Sequence, residues 1–166
     1  MSKRTKLAAL ASVGALAAVA TLSGSASAGG PSTSPYDCVD ARGGRFTAKV
    51  TYSTGGNLLK VSIGHPVPVS FAANTINTTA VFNGPSGAVV YDGTVNPPYT
   101  AGTPVLNLGP IPRVTGSILP GQPLNIVPAT APPSPTNWSL RVIFPGGYPA
   151  WYCGTRVPLS PPLVYN

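Results

Sequence analysis

Apolar and polar residues alternate along much of the chain after residue 44, with the period of two that β-strands show. In the stretch RFTAKVTYS, residues 45–53, an apolar or aromatic side chain occupies every second position from Phe46 to Tyr52. The basic and polar residues between them face the other way, as in a strand with one buried face. The turn TGG and the run NLLKVSI follow, so residues 45–63 predict a β-hairpin.

Short runs of the same kind recur as far as residue 154, separated by turns rich in glycine and proline. They predict strands at residues 78–82, 88–92, 105–108, 114–118, 123–127, 137–144 and 150–154. In the run 137–144, Trp138 shares one face with Leu140 and Val142. The runs 65–73 and 108–114 carry prolines, which cannot donate to a ladder, so we expect them to start a strand or to lie at a sheet edge. Short strands at this spacing favour a β-sandwich or a related barrel.

The first 28 residues have the layout of a secretory signal peptide. Three basic residues among the first six precede an uncharged apolar run from Leu7 to Leu22 and the small-residue sequence Ala26-Ser27-Ala28. The apolar run has 16 residues, fewer than the roughly 20 that a membrane-spanning helix needs. We therefore expect cleavage after Ala28, no transmembrane anchor in the mature chain, and a secreted protein that is at most loosely associated with the envelope. An alanine-rich signal of this kind resembles those of actinobacteria, which implies a bacterial source.

Composition narrows the class of protein further. Removing 28 of the 166 residues leaves 138, enough for one domain with a hydrophobic core. Proline and glycine are abundant, but alternating runs of β-branched and apolar residues argue against disorder. Seven basic and three acidic residues remain, a net charge of +4 in place of +7. The basic residues are scattered along the sequence, so we expect no nucleic-acid partner.

The chain has two cysteines, Cys38 and Cys153. Oxidation is the default in an exported protein, so we expect them to form an intramolecular disulfide. That bond closes a loop of 115 residues, which contributes on the order of 4 to 5 kcal/mol in chain-entropy terms. The expected organisation after the signal is a loose segment at 29–44 that carries Cys38, a β-sandwich domain at 45–156, and a proline-rich tail at 157–166.

The sequence PGQPLNI at 120–126 and the cysteines near both ends resemble features of bacterial immunoglobulin-like secreted domains. The tryptophan that such domains carry between two central cysteines is missing here. Together with the strand pattern, the resemblance predicts an all-β chain, a single immunoglobulin-like or related antiparallel β-sandwich of about 7 to 10 short strands.

Few residues are available for catalysis. The chain has no glutamate, one histidine, His65, and three aspartates, Asp37, Asp40 and Asp92. A glycosidase would need two of these three carboxylates, and no G-x-S-x-G elbow supplies a nucleophile for His65. Zinc needs more histidines or thiols than are present, and calcium at Asp37 and Asp40 would lack further ligands. We therefore expect a protein that is not an enzyme and holds no cofactor or metal.

Aromatic residues are concentrated in PGGYPAWYCGTR, residues 145–156. Trp151 and Cys153 share one face of the predicted strand, so we favour Trp151 as a core residue beside the disulfide. Tyr148, in a turn, and Tyr152, on the other face, are the candidate ligand-binding residues, with Trp151 as the third. They suggest a non-catalytic binding or structural module that engages an unknown extracellular polymer or protein.

A secreted protease inhibitor is the alternative function. Arg156 lies three residues after Cys153 in CGTRVPLSPP. A disulfide-tethered loop braced by prolines is a preorganised segment that a protease can bind without cleaving it. A third interpretation is a structural or assembly subunit that is recognised by an unidentified partner.

Overall fold

The computed structural model describes residues 30–126 and 128–166, so the expected signal peptide lies outside the described residues. Ten strands form the regular structure of this part of the chain: β1 (Ser32–Asp40), β2 (Arg45–Gly55), β3 (Leu58–Gly64), β4 (Asn77–Gly84), β5 (Gly87–Gly93), β6 (Leu106–Thr115), β7 (Pro123–Leu124), β8 (Leu140–Ile143), β9 (Trp151–Gly154) and β10 (Leu163–Val164). None of the described residues belongs to a helix with the length and apolar content needed to cross a membrane.

Eight strands form a closed antiparallel barrel in the order β1-β2-β3-β6-β5-β4-β8-β9, in which β9 pairs with β1. β7 and β10 form a separate two-stranded sheet. The prediction of an all-β chain is confirmed, and the prediction of an immunoglobulin-like sandwich is wrong. Both architectures give strands with one buried face, so alternation alone does not distinguish them. The difference lies in β1, which hydrogen-bonds to a strand on each side and thereby closes the sheet.

Strand β1 lies within the segment that was expected to be loose. Its inward-facing positions include Ser32 and Ser34, and these polar residues conceal the alternation that continues through Tyr36 and Cys38. The hydroxyl of Ser34 is buried but satisfied, because it lies 2.9 Å from Oγ1 of Thr155. A buried hydroxyl costs little when it is hydrogen-bonded, so Ser34 can lie in the barrel interior.

Tyrosine and phenylalanine rings fill the barrel. The hydroxyl of Tyr52 donates a hydrogen bond of 2.9 Å to that of Tyr36. The ring of Phe82 packs edge-on against Tyr52 and Tyr91, with centroid distances of 5.2 and 6.0 Å. Burial raises the pKa of Tyr36 and of Tyr52 well above the ordinary value, so both stay neutral. Eight strands enclose just enough space for such side chains, and the barrel interior is a packed core.

The disulfide joins Cys38 to Cys153, as predicted. The two residues are register partners on β1 and β9, with Cα atoms 4.1 Å apart, so the bond links the two strands whose pairing closes the barrel. Such a bond is compatible with an oxidising compartment.

The last ten residues pack against the barrel end that carries the β2–β3 turn. Leu159, Leu163 and Tyr165 are buried. The hydroxyl of Tyr165 donates a hydrogen bond of 2.6 Å to Oδ1 of Asn57, and the guanidinium of Arg113 lies 5.2 Å from the Tyr165 ring centroid. The proline-rich segment 157–166 thus covers one end of the barrel.

Candidate functional site

Trp151 lies in an aromatic cluster at the other end of the barrel, near the β1–β2 turn. Only 3% of its surface is exposed. Its ring centroid is 4.8 Å from Phe144, 4.9 Å from Phe46 and 5.2 Å from His65. The side chain is packed on several sides by other rings, which places it in the core rather than on an accessible surface.

Tyr148 extends the same cluster. Its ring packs edge-on against Phe144 and Phe71, with centroid distances of 5.5 and 6.1 Å. The residue is half-buried and lines a shallow hollow with Val69 and Pro145. These contacts leave Tyr148 half-buried, so only part of its ring is open to a ligand.

His65 also belongs to this cluster. Its imidazole stacks on the ring of Phe46, with 4.1 Å between centroids and 26° between planes. Burial lowers the pKa of His65 below its ordinary value, so the ring is neutral at neutral pH. No side-chain hydrogen bond of the described residues involves this imidazole, so no neighbouring group orients it as a general base would be oriented.

The three aspartates lie apart and have different surroundings. Oδ1 of Asp40 accepts hydrogen bonds of 2.8 Å from the backbone N–H groups of Arg42 and Gly44, which stabilises the β1–β2 turn. Asp92 accepts one of 2.6 Å from the hydroxyl of Thr79. Asp37 is exposed on the outer face of β1. The described part of the chain contains no group of three or more histidine, cysteine, aspartate or glutamate side chains that could hold a metal ion.

Tyr152 points outwards and lies in a row of side chains that crosses six strands of the barrel wall. Cross-strand register places it between Val39 on β1 and Arg141 on β8. We call the set the polar row; its members in order are Arg45, Val39, Tyr152, Arg141, Thr79 and Asp92. Neighbouring strands are about 4.8 Å apart, so the row extends about 24 Å around the wall.

Arg141 is held rigidly within the polar row. Its Nη2 donates a hydrogen bond of 3.0 Å to Oγ1 of Thr79, which in turn donates to Asp92. Its guanidinium carbon lies 4.8 Å from the ring centroid of Trp138, and the indole N–H donates to the carbonyl of Pro135 at 3.2 Å. Tyr152 therefore has a fixed cation beside it, with an indole ring stacked on that cation.

Trp138 does not lie on the buried face that the sequence pattern assigned to it. Leu140 and Val142 do point into the barrel, but β8 begins only at Leu140. The preceding residues form a turn, so the strand alternation does not extend back to Trp138. The sequence also did not show that Arg141 lies between Thr79 and Tyr152, because this depends on the pairing of β8 with β4 and β9.

A segment of the chain, residues 128–137, crosses the outside of the wall at Gly154. A Cβ atom at Gly154 would lie 3.5 Å from Cβ of Ala129 and 3.9 Å from Cβ of Pro133. The crossing segment thus passes close over β9, and it forms one bank of a groove over β1 and β2.

We call this hollow the β1–β2 groove. One part encloses about 480 Å³ and is lined by Asp37, Cys38, Val39, Arg45, Phe46, Thr47, Pro132, Pro133 and Arg156. A second part of about 470 Å³ meets the first at Thr47 and is lined by Thr33, Ser34, Pro35, Thr47, Ala48, Lys49 and Ser160. The groove thus runs along the strands for most of the length of β1.

The charges of the β1–β2 groove are predominantly positive. Arg45, Lys49 and Arg156 line it, and Asp37 is its single carboxylate. None of these four charged groups takes part in a side-chain hydrogen bond or ion pair with another of the described residues. Cations without a partner, beside concave surface, are available to an anionic ligand.

Arg156 lies at the tip of a braced turn that follows β9. The N–H of Val157 donates a hydrogen bond of 3.1 Å to Oγ1 of Thr155, and the hydroxyl of Ser34 donates one of 3.0 Å to the Val157 carbonyl. Thr33 and Ser160 exchange two backbone hydrogen bonds, of 3.1 and 3.0 Å, just beyond the turn. The backbone on both sides of the exposed Arg156 is therefore fixed.

The structure brings Tyr152 and Arg156 to the same side of the wall. Tyr152 is the register partner of Val39, and Arg156 lines the same groove as Val39. Trp151 and Tyr148 lie instead in the aromatic cluster at the barrel end. No protein-family model matches this chain, and neither a curated protein nor a solved structure is significantly similar to it.

Proposed function

We propose that this protein is an exported, non-catalytic binding module that holds an extracellular polymer or protein against one side of its barrel wall. The observation that carries the proposal is the polar row, with Tyr152 half-exposed between Val39 and the fixed guanidinium of Arg141. The signal-like N-terminus and the disulfide support export.

The two sides of the barrel differ in the chemistry they expose. The wall formed by β2, β1, β9, β8 and β4 carries Tyr152, Trp138 and the arginines of the polar row. Exposed aliphatic residues occur on both sides, with Ile143 on β8 at 39% and Leu58 and Val114 on β3 and β6 at 42% and 52%, so the difference lies in the aromatic and basic residues. Tyrosine, tryptophan and arginine are the residues enriched at the energetic centres of binding surfaces. This asymmetry favours recognition by the Tyr152 side.

Rigidity supports the same function. The wall is a closed, hydrogen-bonded barrel with a disulfide across its closing strands, and Arg141 is fixed by Thr79 and Trp138. A site whose side chains are already ordered loses less entropy when a ligand binds.

Replacing Tyr152 by alanine should strongly reduce retention of the purified, oxidised protein on envelope material from the producing organism. The substitution removes an aromatic face that a sugar ring or an apolar side chain can cover. We expect retention to fall about tenfold, with a free energy of unfolding within about 1 kcal/mol of the parent value because the residue faces outwards. Pull-down on envelope material and urea unfolding measure the two quantities.

The matched control is Leu58→Ala, which removes an exposed apolar side chain from the opposite side. It should leave retention unchanged. If Tyr152→Ala and Leu58→Ala are both retained like the parent, the Tyr152 side does not bind the envelope and the proposal is wrong.

Protease inhibition is a second candidate, favoured by the braced turn at Arg156. A loop whose backbone is already fixed loses little conformational entropy when a protease binds it. Here Thr155, Ser34 and Ser160 fix the backbone on both sides of the exposed Arg156. If this candidate is right, micromolar protein should slow a trypsin-like protease, and Arg156→Ala should abolish the effect. An unchanged rate of cleavage of a chromogenic arginine substrate would exclude it.

A further inference from the structure

We propose that the β1–β2 groove binds an acidic polysaccharide, with Arg45, Arg156 and Lys49 contacting carboxylate groups along the sugar chain. The inference deepens the proposed function and rests on it, since it names the class of polymer that the Tyr152 side of the wall would hold. The charge, the shape and the lining of the groove support it.

The cations lie along the groove rather than at one point. Arg45 and Lys49 are both outward-facing residues of β2 and are separated by four positions, which is about 13 Å along a strand. Arg156 faces the same hollow as Arg45 from the opposite bank. Positive charges spread over this length suit a linear chain with repeated anionic groups better than a single small ion.

The rest of the lining favours sugar rings over other polyanions. Asp37 is an acceptor for ligand hydroxyl groups, and the hydroxyl of Thr47 lies where the two parts of the groove meet. Val39, Pro132 and Pro133 supply apolar surface against which the C–H faces of a sugar ring can pack. A polymer that carries hydroxyl groups, carboxylates and apolar ring faces uses every kind of group in this lining.

A nucleic acid suits the groove less well. Proteins that bind single strands stack bases on exposed aromatic rings, and sequence-independent duplex binding uses many phosphate contacts. The aromatic residue in the groove, Phe46, is already stacked on His65. Asp37 would repel the dense phosphate charge without finding hydroxyl groups to accept from in DNA.

The groove is also preorganised. Its floor is formed by β1 and β2, and β1 is paired on both sides and carries the disulfide at Cys38. The crossing segment packed over Gly154 and the braced turn that bears Arg156 border the groove on the β9 side of β1. The long side chains of Arg45, Lys49 and Arg156 can still adjust their positions to the anionic groups of a bound chain.

The test is isothermal titration of the purified, oxidised protein with oligogalacturonate, a carboxylate-bearing sugar chain. We expect binding that weakens as sodium chloride rises from about 0.01 to 0.15 M, because the screening length falls from about 30 to 8 Å. Arg45→Gln and Arg156→Gln should each weaken binding on the order of tenfold, since each removes a charge-assisted hydrogen bond. Lys60→Gln is the control: it removes one exposed cation from β3, outside the groove.

A neutral polysaccharide and phosphate-bearing polymers are titrated in the same way to test the class of ligand. Neutral dextran should not bind; if it binds as tightly as oligogalacturonate, the cations are not used and the inference is overturned. Double-stranded DNA or polyphosphate that binds more tightly than oligogalacturonate also overturns it, in favour of a phosphate-bearing partner.

The failure of this inference can be distinguished from the failure of the proposed function. If no oligogalacturonate binds but retention on envelope material still depends on Tyr152, the acidic polysaccharide is wrong and the binding module stands. If neither is observed, both are wrong. Unfolding midpoints of the Arg45 and Arg156 variants should match that of the parent, since neither side chain contributes a hydrogen bond or ion pair within the described structure.

Discussion

Replacing Cys38 and Cys153 together by alanine should lower the free energy of unfolding by about 4 to 5 kcal/mol. The disulfide closes a loop of 115 residues and links the two strands that complete the barrel. Without it the unfolded chain gains conformational freedom, while the folded chain still has to bring β1 back to β9 to remove the open edges. Equilibrium unfolding in urea, followed by tryptophan fluorescence, measures the loss.

The reduced parent protein is the control for this experiment. It keeps both sulfur atoms in the core, so it separates the effect of loop closure from the loss of packing. The reduced parent and the alanine variant should be destabilised by similar amounts. A loss smaller than about 1 kcal/mol in both would show that β1 is held in the barrel by its hydrogen bonds and packing alone, contrary to the role assigned to the disulfide.

Replacing Trp151 by alanine should lower the free energy of unfolding by about 3 to 5 kcal/mol, the range for large aromatic residues removed from a core. The indole contacts Phe46, His65 and Phe144, so its removal leaves a cavity between rings from three separate parts of the chain. The same urea experiment gives the value.

The adjacent residue supplies the matched comparison. Tyr152 lies on the other face of β9, and its replacement by alanine should cost no more than about 1 kcal/mol. Trp151→Phe should recover part of the stability that Trp151→Ala loses. Equal costs for Trp151→Ala and Tyr152→Ala would contradict the assignment of Trp151 to the core and of Tyr152 to the surface.

The local structure of the chain follows closely from the alternation. The hairpin predicted at 45–63 corresponds to β2 and β3, and Ala48, Val50 and Tyr52 are buried as the pattern requires. The pairing of the two cysteines also followed from their number and from the expected compartment. Both inferences depend on local periodicity or on counting, which need no knowledge of how distant strands pair.

The closure of the barrel could not be derived in the same way. It depends on β1, whose serines and proline resemble a loop in sequence, and on the pairing of β1 with β9 more than a hundred residues later. The energy of burying Ser34 depends on a hydroxyl partner, Thr155, that only the tertiary structure brings near. Hydrophobic pattern carries no information about such partners.

One of the two proline-bearing runs also had a different outcome from the one expected. Residues 108–114 lie within β6, which is paired on both sides in the closed barrel and is not an edge. Its ladders are irregular, with register shifts opposite Leu59 and Val61 on β3 and opposite Val90 and Tyr91 on β5. Such breaks leave positions without a required donor, where proline is tolerated.

The candidate site was only partly visible in the sequence. Tyr152 and Arg156 were identified from an aromatic-rich stretch beside a cysteine. Arg45 and Lys49 were counted among scattered charges, because their proximity to Arg156 arises only when β1 and β2 pair beside the turn after β9. A patch assembled from distant segments has no signature in a single sequence.

Backbone amide chemical shifts, recorded while the isotope-labelled protein is titrated with the envelope polymer that retains it, test the central claim most directly. We expect the shifts that change to cluster on β1, β2, β8 and β9, around Tyr152 and the β1–β2 groove, while those of β3 and β6 stay fixed. Changes concentrated on the Leu58 side of the barrel, or at the end covered by Tyr165, would contradict it.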